Sequence, residues 1–480
     1  MDAILLDDVS YRYPNQDRLA LRDVSLRVKR GESVFITGRS GSGKSTLARA
    51  VTAVIPSMMG GEIDGTVRVM GRDTGSLTPG DLAADVGYVF QNPESQFFTL
   101  NVNSEVSLGP DALQLDKREE RVEDALRRVG MEHRRYESVF NLSEGEKQRV
   151  AIASQLSMSP EILLMDEPTS NLDQGSTDDL FSILKNLRDK TLILIDHRTY
   201  RVPDIFDRVV VMDGGEIVEE TDSDDLLDPD FRKKYGLRSP SPGFNQRSCG
   251  GRGLRPSSQV STHTETKQDP VLRVMNISHT QGDFRLDGVN LDLWRGEVLG
   301  LTGPNGSGKT TLARLIAGLI KPETGEIRVE GTAGLVMQDP DHQLFMDTVK
   351  REITFGLDDY SYGDVEELLE TMKLHRLVER HPHSLSGGEK QRTLISVYLF
   401  RKPDVLIMDE PTTGMDLDNM KRLAGWIDKL KGMGVAVMVI SHDMEFLQMV
   451  ADRTIMMDNG ALVLQDHEVA GTDSVSGCLR

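Results

Sequence analysis

The segment GRSGSGKST (38–46) returns later in the chain as GPNGSGKTT (303–311), and no other feature restricts the fold so tightly. Each copy follows a short apolar stretch, SVFITG (33–38) or VLGLTG (298–303), and opens an amphipathic run, KSTLARAVTAVI (44–55) or KTTLARLIAGLI (309–320). A strand, a glycine turn and a helix in that order bring backbone N–H groups together around a phosphate, with the helix N-terminus adding partial positive charge. The candidate phosphate contacts are Gly38, Arg39, Ser40, Gly41, Ser42, Gly43, Lys44, Ser45 and Thr46 in the first copy. In the second they are Gly303, Pro304, Asn305, Gly306, Ser307, Gly308, Lys309, Thr310 and Thr311. Lys44 and Lys309 are expected to reach the β- and γ-phosphates, and the Ser45 and Thr310 hydroxyls to ligate Mg²⁺.

Two further phrases recur in the same order. NLSEGEKQR (141–149) returns as SLSGGEKQR (384–392), and ILLMDEPTSNLD (162–173) as VLIMDEPTTGMD (405–416). Ser143 to Asp166 and Ser386 to Asp409 are both separated by 23 positions. A unit this long, written twice, is a duplicated domain and not a solenoid. A chain of 480 residues also exceeds one ordinary core and suits two domains of roughly 200 residues. The continuously apolar ILLM and VLIM segments read as buried parallel strands, each ending in paired carboxylates. Alternation along a strand turns neighbouring side chains apart, so Asp166 and Asp409 are assigned to Mg²⁺, and Glu167 and Glu410 to polarising an attacking water. After one more strand each copy has a histidine, His197 or His442, suited to sensing the γ-phosphate.

Between the copies the texture changes to a Ser/Gly/Pro/Arg-rich tract without periodicity, which reads as a flexible tether with a root-mean-square span of about 30 Å. The expected limits are 1–236 for the first domain, 237–269 for the linker and 270–480 for the second domain. The first copy also has an extra stretch around RDTGSLTPGDLAA (72–84), expected as a surface elaboration of a small β-subdomain. With 56 basic against 76 acidic residues, the net charge of −20 argues against a main role on nucleic acid. Cys249 and Cys478 do not form a metal or disulfide pattern. The acidic MDAILLDDVS start gives no expectation of a secretion leader. No apolar run approaches the ~20 residues that span a bilayer, so any membrane part is expected from another chain.

The ordered set of phosphate loop, LSGGE-type phrase, MDEP, following Asp173 or Asp416 and switch histidine resembles the nucleotide-binding domains of ABC ATPases. The resemblance covers nearly the whole chain outside the linker. It implies an α/β fold of two tandem P-loop NTPase domains, each with a mainly parallel sheet core, a small antiparallel β-subdomain and a helical subdomain. It also implies hydrolysis of ATP with Mg²⁺, and head-to-tail pairing that sandwiches two ATPs between one domain's P-loop and the other's signature phrase. Ser143 and Gly145, and likewise Ser386, Gly387 and Gly388, would then act in trans, with Asp173 and Asp416 as D-loop residues. Gln91 and Gln338 lie in FQNPESQFF (90–98) and MQDPDHQLF (337–345), followed by VNSEVSLGP and TVKREITFGL. These contexts, together with IDHR around His197, resemble energy-coupling-factor importers of vitamins or transition metals. The implied partners are integral-membrane coupling and substrate-binding subunits, the implied location is the cytoplasmic face of the membrane, and the glutamines would link the site to those partners. A soluble tandem ABC ATPase acting on ribosomes and an exporter ATPase remain as alternatives. Family members stack adenine on an aromatic residue before the P-loop; Tyr13 fits, while the second copy offers His279 or Phe284.

Both signature phrases read as helix starts, with Ser143/Glu146 and Ser386/Glu389 as capping boxes and VAIASQLSM (150–158) continuing the first helix. The copies differ at one telling position, where Glu144 stands opposite Gly387. At the first helical position a carboxylate favours the helix by ~0.3–1 kcal/mol. Facing a phosphate at about 6 Å, it would be repelled by up to ~3 kcal/mol per unit charge at an effective dielectric of ~20. The expectation is that both sites bind ATP and that the Lys309 site, closed by Glu144, turns over more slowly.

Overall fold

The computed structural model describes residues 2–240, 269–282, 284–338, 340–357, 361–385 and 387–463; most of the expected linker, and Ser386, lie outside them. The first copy runs β1 (Asp2–Arg12), β2 (Leu21–Lys29), β3 (Ser33–Gly38), α1 (Lys44–Val51), β4 (Glu62–Val69), β5 (Arg72–Asp73), β6 (Val86–Val89), α2 (Val102–Ala112), α3 (Arg118–Arg128), α4 (Glu144–Leu156), β7 (Ile162–Asp166), α5 (Gln174–Lys185), β8 (Thr191–Ile195), β9 (Arg208–Asp213) and β10 (Glu216–Asp222). The second repeats it as β11 (Leu272–Gln281), β12 (Phe284–Leu293), β13 (Val298–Thr302), α6 (Lys309–Ile316), β14 (Thr324–Val329), β15 (Ala333–Val336), α7 (Val349–Thr354), α8 (Tyr362–Thr371), α9 (Gly387–Arg401), β16 (Val405–Asp409), α10 (Leu417–Gly432), β17 (Ala436–Ile440), α11 (Met444–Val450), β18 (Arg453–Asp458) and β19 (Ala461–Val463).

Each copy has a six-stranded core sheet, ordered β10-β9-β3-β8-β7-β6 and β15-β16-β17-β13-β18-β19, parallel except for the antiparallel edge strands β10 and β19. The apolar runs are continuous because both faces of the sheet are covered. Phe35, Leu163, Leu192 and Leu194 point into the core shared with the helices, whereas Val34, Ile36, Leu164 and Ile193 point into the core under the antiparallel strands and α1. The second copy divides Leu406/Met408 from Val405/Ile407 in the same way. The antiparallel sheet is β2-β1-β4-β5 in one copy and β12-β11-β14 in the other. The extra stretch of the first copy thus supplies a fourth strand, and Thr74 and Leu82 anchor its largely exposed continuation. Helices α2, α3 and α4 pack together through Val106, Val122, Leu126 and Val150 as the helical subdomain.

Three boundaries differ from the sequence expectation. The P-loop helices stop at Val51 and Ile316, about a turn before 55 and 320. Ala53 (φ 55°) and Gly318 (φ 71°) carry the chain through left-handed turns there, a conformation incompatible with continued helix. Helix α4 ends at Leu156 with Ser157 as C-cap, so Met158 is not helical. Among the described residues no helix is long and apolar enough to cross a membrane.

Candidate functional site

Both glycine loops are built alike. Gly38 (φ 140°) and Gly303 (φ 144°) press against the β9 and β18 strands so closely that a Cβ would lie 2.0 Å from the Met212 or Met457 carbonyl oxygen, which excludes any side chain. The Lys44 ammonium donates to the Gly38 and Arg39 carbonyls, both at 3.0 Å, and that of Lys309 to Gly303 and Pro304, both at 2.8 Å. Burial pulls both ammonium groups below the ordinary lysine range. The Ser42 and Ser307 hydroxyls are buried without a hydrogen-bond partner, polar groups of the kind that a phosphate oxygen satisfies. Ser45 Oγ donates to Asp166 Oδ1 at 3.2 Å and Thr310 Oγ1 to Asp409 Oδ2 at 2.8 Å. A hydroxyl and a carboxylate beside a phosphate loop are a hard-oxygen donor set suited to Mg²⁺. Thr46 and Thr311 follow on α1 and α6.

The Asp-Glu pairs separate by more than strand alternation. Glu167 and Glu410 both have φ 48°, a left-handed conformation costing ~1–3 kcal/mol of the kind found at functional sites. Around the two glutamates the surroundings diverge. Glu167 meets His197 Nε2 at 3.3 Å and Gln91 Nε2 at 2.9 Å. Burial pushes its carboxyl upward, but the His197 hydrogen bond and the His197 and Lys44 charges hold it below the usual range. Glu410 is raised to about 7 by burial and by Asp409. His442 lies 3.4 Å from it and 2.8 Å from Asn305 Oδ1, and burial with the Lys309 charge brings the imidazole down to about 3. Gln338 Nε2 reaches across to Asn171 Oδ1 at 3.4 Å, while at the equivalent place in the other site Gly414 faces Gln91.

The halves meet head to tail. Asp173 caps α5, its Oδ1 accepting from Ser176 N at 2.7 Å, and its Oδ2 accepts from Asn305 N in the opposite P-loop at 2.9 Å. Asp416 repeats this with Asn419 N at 2.8 Å and Ser40 N at 2.6 Å. Arg39 adds a contact to Asp418 at 3.2 Å. Buried Arg238 pairs with Asp443 at 2.5 Å and Glu445 at 3.1 Å. A cavity of about 620 Å³ lies between the halves, lined by Lys309, Thr310, Asp409, Glu410 and His442 from one and by Ser143, Glu144, Asn171 and Arg198 from the other.

Ser143 caps α4 through the reciprocal pair with Glu146, as expected, and Gly145 packs on Ser176. Glu144, however, pairs at 2.8 Å with Lys147, which also contacts Glu94 of the segment after Gln91. Its counterpart Gly387 has open space where a Cβ would stand, so the position accepts a side chain without steric cost; Gly388 follows it on α9. Ser386 lies outside the described residues.

Tyr13 donates to or accepts from Thr46 Oγ1 at 3.1 Å and accepts from Arg49, beside the first P-loop. In the second copy Phe284 and Gln281 line the cavity, and Phe284 sits against Gly308. His279 is paired with Leu286 in the β-ladder and is not among the lining residues, so of the two candidates only Phe284 faces the site. Asn171 and Tyr88, whose hydroxyl donates to Asp166 at 3.3 Å, were not among the sequence expectations, and Arg198 entered them only within the IDHR phrase, without a role of its own. Their signal was the mismatch between copies, Arg198 against Asp443 and Asn171 against Gly414.

Comparison with known proteins accords with this geometry. The profile of the ABC transporter family matches residues 21–170 and 286–413. An ABC transporter ATP-binding protein of Methanosarcina acetivorans is 34% identical over 96% of this chain and 85% of its own. One from Treponema denticola is 34% identical over 96% of each chain. The structure of ribosome-bound archaeal Pelota and ABCE1 contains a chain that aligns with a TM-score of 0.66 over 94% of this chain and 76% of its own, at 22% identity, a likeness of fold. The chain belongs to the ABC transporter ATP-binding proteins and carries two ABC ATPase domains fused in one polypeptide.

Proposed function

We propose that this protein hydrolyses MgATP at two composite sites and couples the cycle to an integral-membrane importer of the energy-coupling-factor type, from the cytoplasmic face of the membrane. The domain limits proposed are 1–236 and 270–480. Lys44 and Lys309 neutralise the β- and γ-phosphates, helped by the loop N–H groups. Ser45 with Asp166, and Thr310 with Asp409, would hold Mg²⁺, which offsets phosphate charge. Glu167 and Glu410 orient the attacking water, and His197 and His442 face the γ-phosphate. Tyr13 and Phe284 stack adenine. The signature helix starts, Ser143 with Gly145 and Ser386 with Gly387 and Gly388, close the opposite site in trans. The reciprocal hydrogen bonds of Asp173 and Asp416 to the facing P-loops support this arrangement.

The observation that carries the membrane coupling lies beside the Gln loops. Phe98 and Phe345 occupy equivalent positions and are 81% and 64% exposed. Each is held out by a buried carboxylate. Glu105 accepts from Phe98 N at 3.0 Å and Thr99 N at 2.8 Å, and Glu352 from Phe345 N at 2.9 Å and Met346 N at 2.8 Å. Exposed Leu100, Tyr136 and Phe140 extend the first patch, and Phe355 the second. Paired apolar patches fixed by buried anchors favour docking of a helical partner. Affinity purification in mild detergent tests the reading. The expected outcome is recovery of membrane subunits with the wild-type chain and their loss from Phe98→Ser/Phe345→Ser, with ATP binding retained. Recovery of ribosomes instead would overturn it.

A further inference from the structure

The residue after the switch histidine is Arg198 in the first copy and Asp443 in the second. Arg198 is anchored twice. Its backbone N–H donates to Asp196 Oδ1 at 2.9 Å, and the other oxygen of that buried carboxylate accepts from Thr169 Oγ1 at 2.7 Å. Its Nη1 donates to the Thr169 carbonyl at 3.0 Å and the Leu172 carbonyl at 3.3 Å. The guanidinium therefore pins both ends of the segment 169–172. That segment carries Asn171, which meets Gln338, and runs into Asp173, which holds Asn305; Asn305 in turn contacts His442. Arg198 also lines the cavity with Glu410 and His442. In the second copy the equivalent side chain turns away to pair with Arg238, and Ser441 takes the place of Asp196.

We propose that Arg198 is a positioning residue supplied by the first domain to the Lys309 site, fixing the 169–172 segment, which meets Gln338 directly and leads into Asp173, through which it reaches Asn305 of the opposite P-loop and, behind Asn305, His442. The Lys44 site has Asp443 in that position and does not depend on an arginine. The inference rests on the Lys309 loop being an ATP site. A single nitrogen makes both carbonyl contacts, so a lysine ammonium can replace it, whereas an uncharged side chain cannot.

Vanadate trapping of azido-ATP on the full-length chain, with labelled peptides assigned to either half, separates the sites. For Arg198→Met, labelling of second-half peptides is expected to fall about tenfold, the scale of losing one charge-assisted hydrogen bond. Half-saturating nucleotide should stay within about threefold, as for a group that acts on the trapped transition-state complex and not on initial binding. Labelling of first-half peptides should stay within about twofold, and Arg198→Lys should recover most of the second-half signal. Equal loss in both halves would reduce Arg198 to a structural support of the first domain beside His197. Unchanged labelling, or a Lys variant as poor as Met, would equally overturn the proposal. Absence of label from the wild-type second half both with vanadate trapping and on direct photolabelling with azido-ATP would show that the ATP-site reading of Lys309 itself has failed.

Discussion

Replacing Lys147 by Met should damage the ATP site of the other domain, and removing Glu144 should cure that damage. Lys147 is buried and its ammonium is shared between Glu144 and Glu94. A bare carboxylate about 6 Å from a phosphate costs up to ~3 kcal/mol per unit charge at an effective dielectric of ~20, and an ammonium at similar range cancels most of it. The Glu144 side chain is 37% exposed, so turning to water and screening by salt leave about half of this, ~1–2 kcal/mol, or about tenfold in affinity. Lys147→Met should therefore weaken azido-ATP labelling of second-half peptides about tenfold, Glu144→Gly alone should change it less than about threefold, and the double variant should return to within about threefold of wild type. First-half labelling serves as the internal control. A Lys147→Met defect that is equally large with Gly at 144 would refute the charge-pair explanation and assign the loss to packing of α4.

The Lys309 site should be the slower of the two, because burial and Asp409 raise the Glu410 carboxyl to about 7 and Glu410 lacks the close Gln contact that Glu167 has. Glu167→Gln should accordingly remove more steady-state ATPase activity in membranes containing the full complex than Glu410→Gln, and equal losses would refute the asymmetry. Phe284→Ala should raise the half-saturating ATP for second-half labelling by about fivefold to tenfold, the loss of one base-stacking platform, while His279→Ala should not; a shift from His279→Ala alone would reverse the adenine assignment.

Much of this protein is legible in its sequence because the chemistry is local. The glycine loops, their lysines and hydroxyls, and the apolar strands ending in Asp-Glu lie within a few residues of one another. Phosphate binding demands those types at those spacings, and the repeated phrases reveal the duplication. The capping box at Ser143 could also be read directly, since its bonds span three residues. The helix ends at Val51 and Ile316 could not, because apolar periodicity persists past the residues where Ala53 and Gly318 turn left-handed.

What tertiary structure alone decided is every contact across the two halves. No spacing rule relates Asp173 to Asn305, Asn171 to Gln338 or Arg198 to the Lys309 cavity, which are separated by more than 100 residues and joined only by packing. The sequence marked Glu144 as an odd carboxylate, but its partner is chosen by how α4 lies beside the segment after Gln91, where Lys147 reaches both Glu144 and Glu94. Local motifs follow from the backbone and its immediate neighbours; charge balance in a shared site depends on which surfaces the fold presses together.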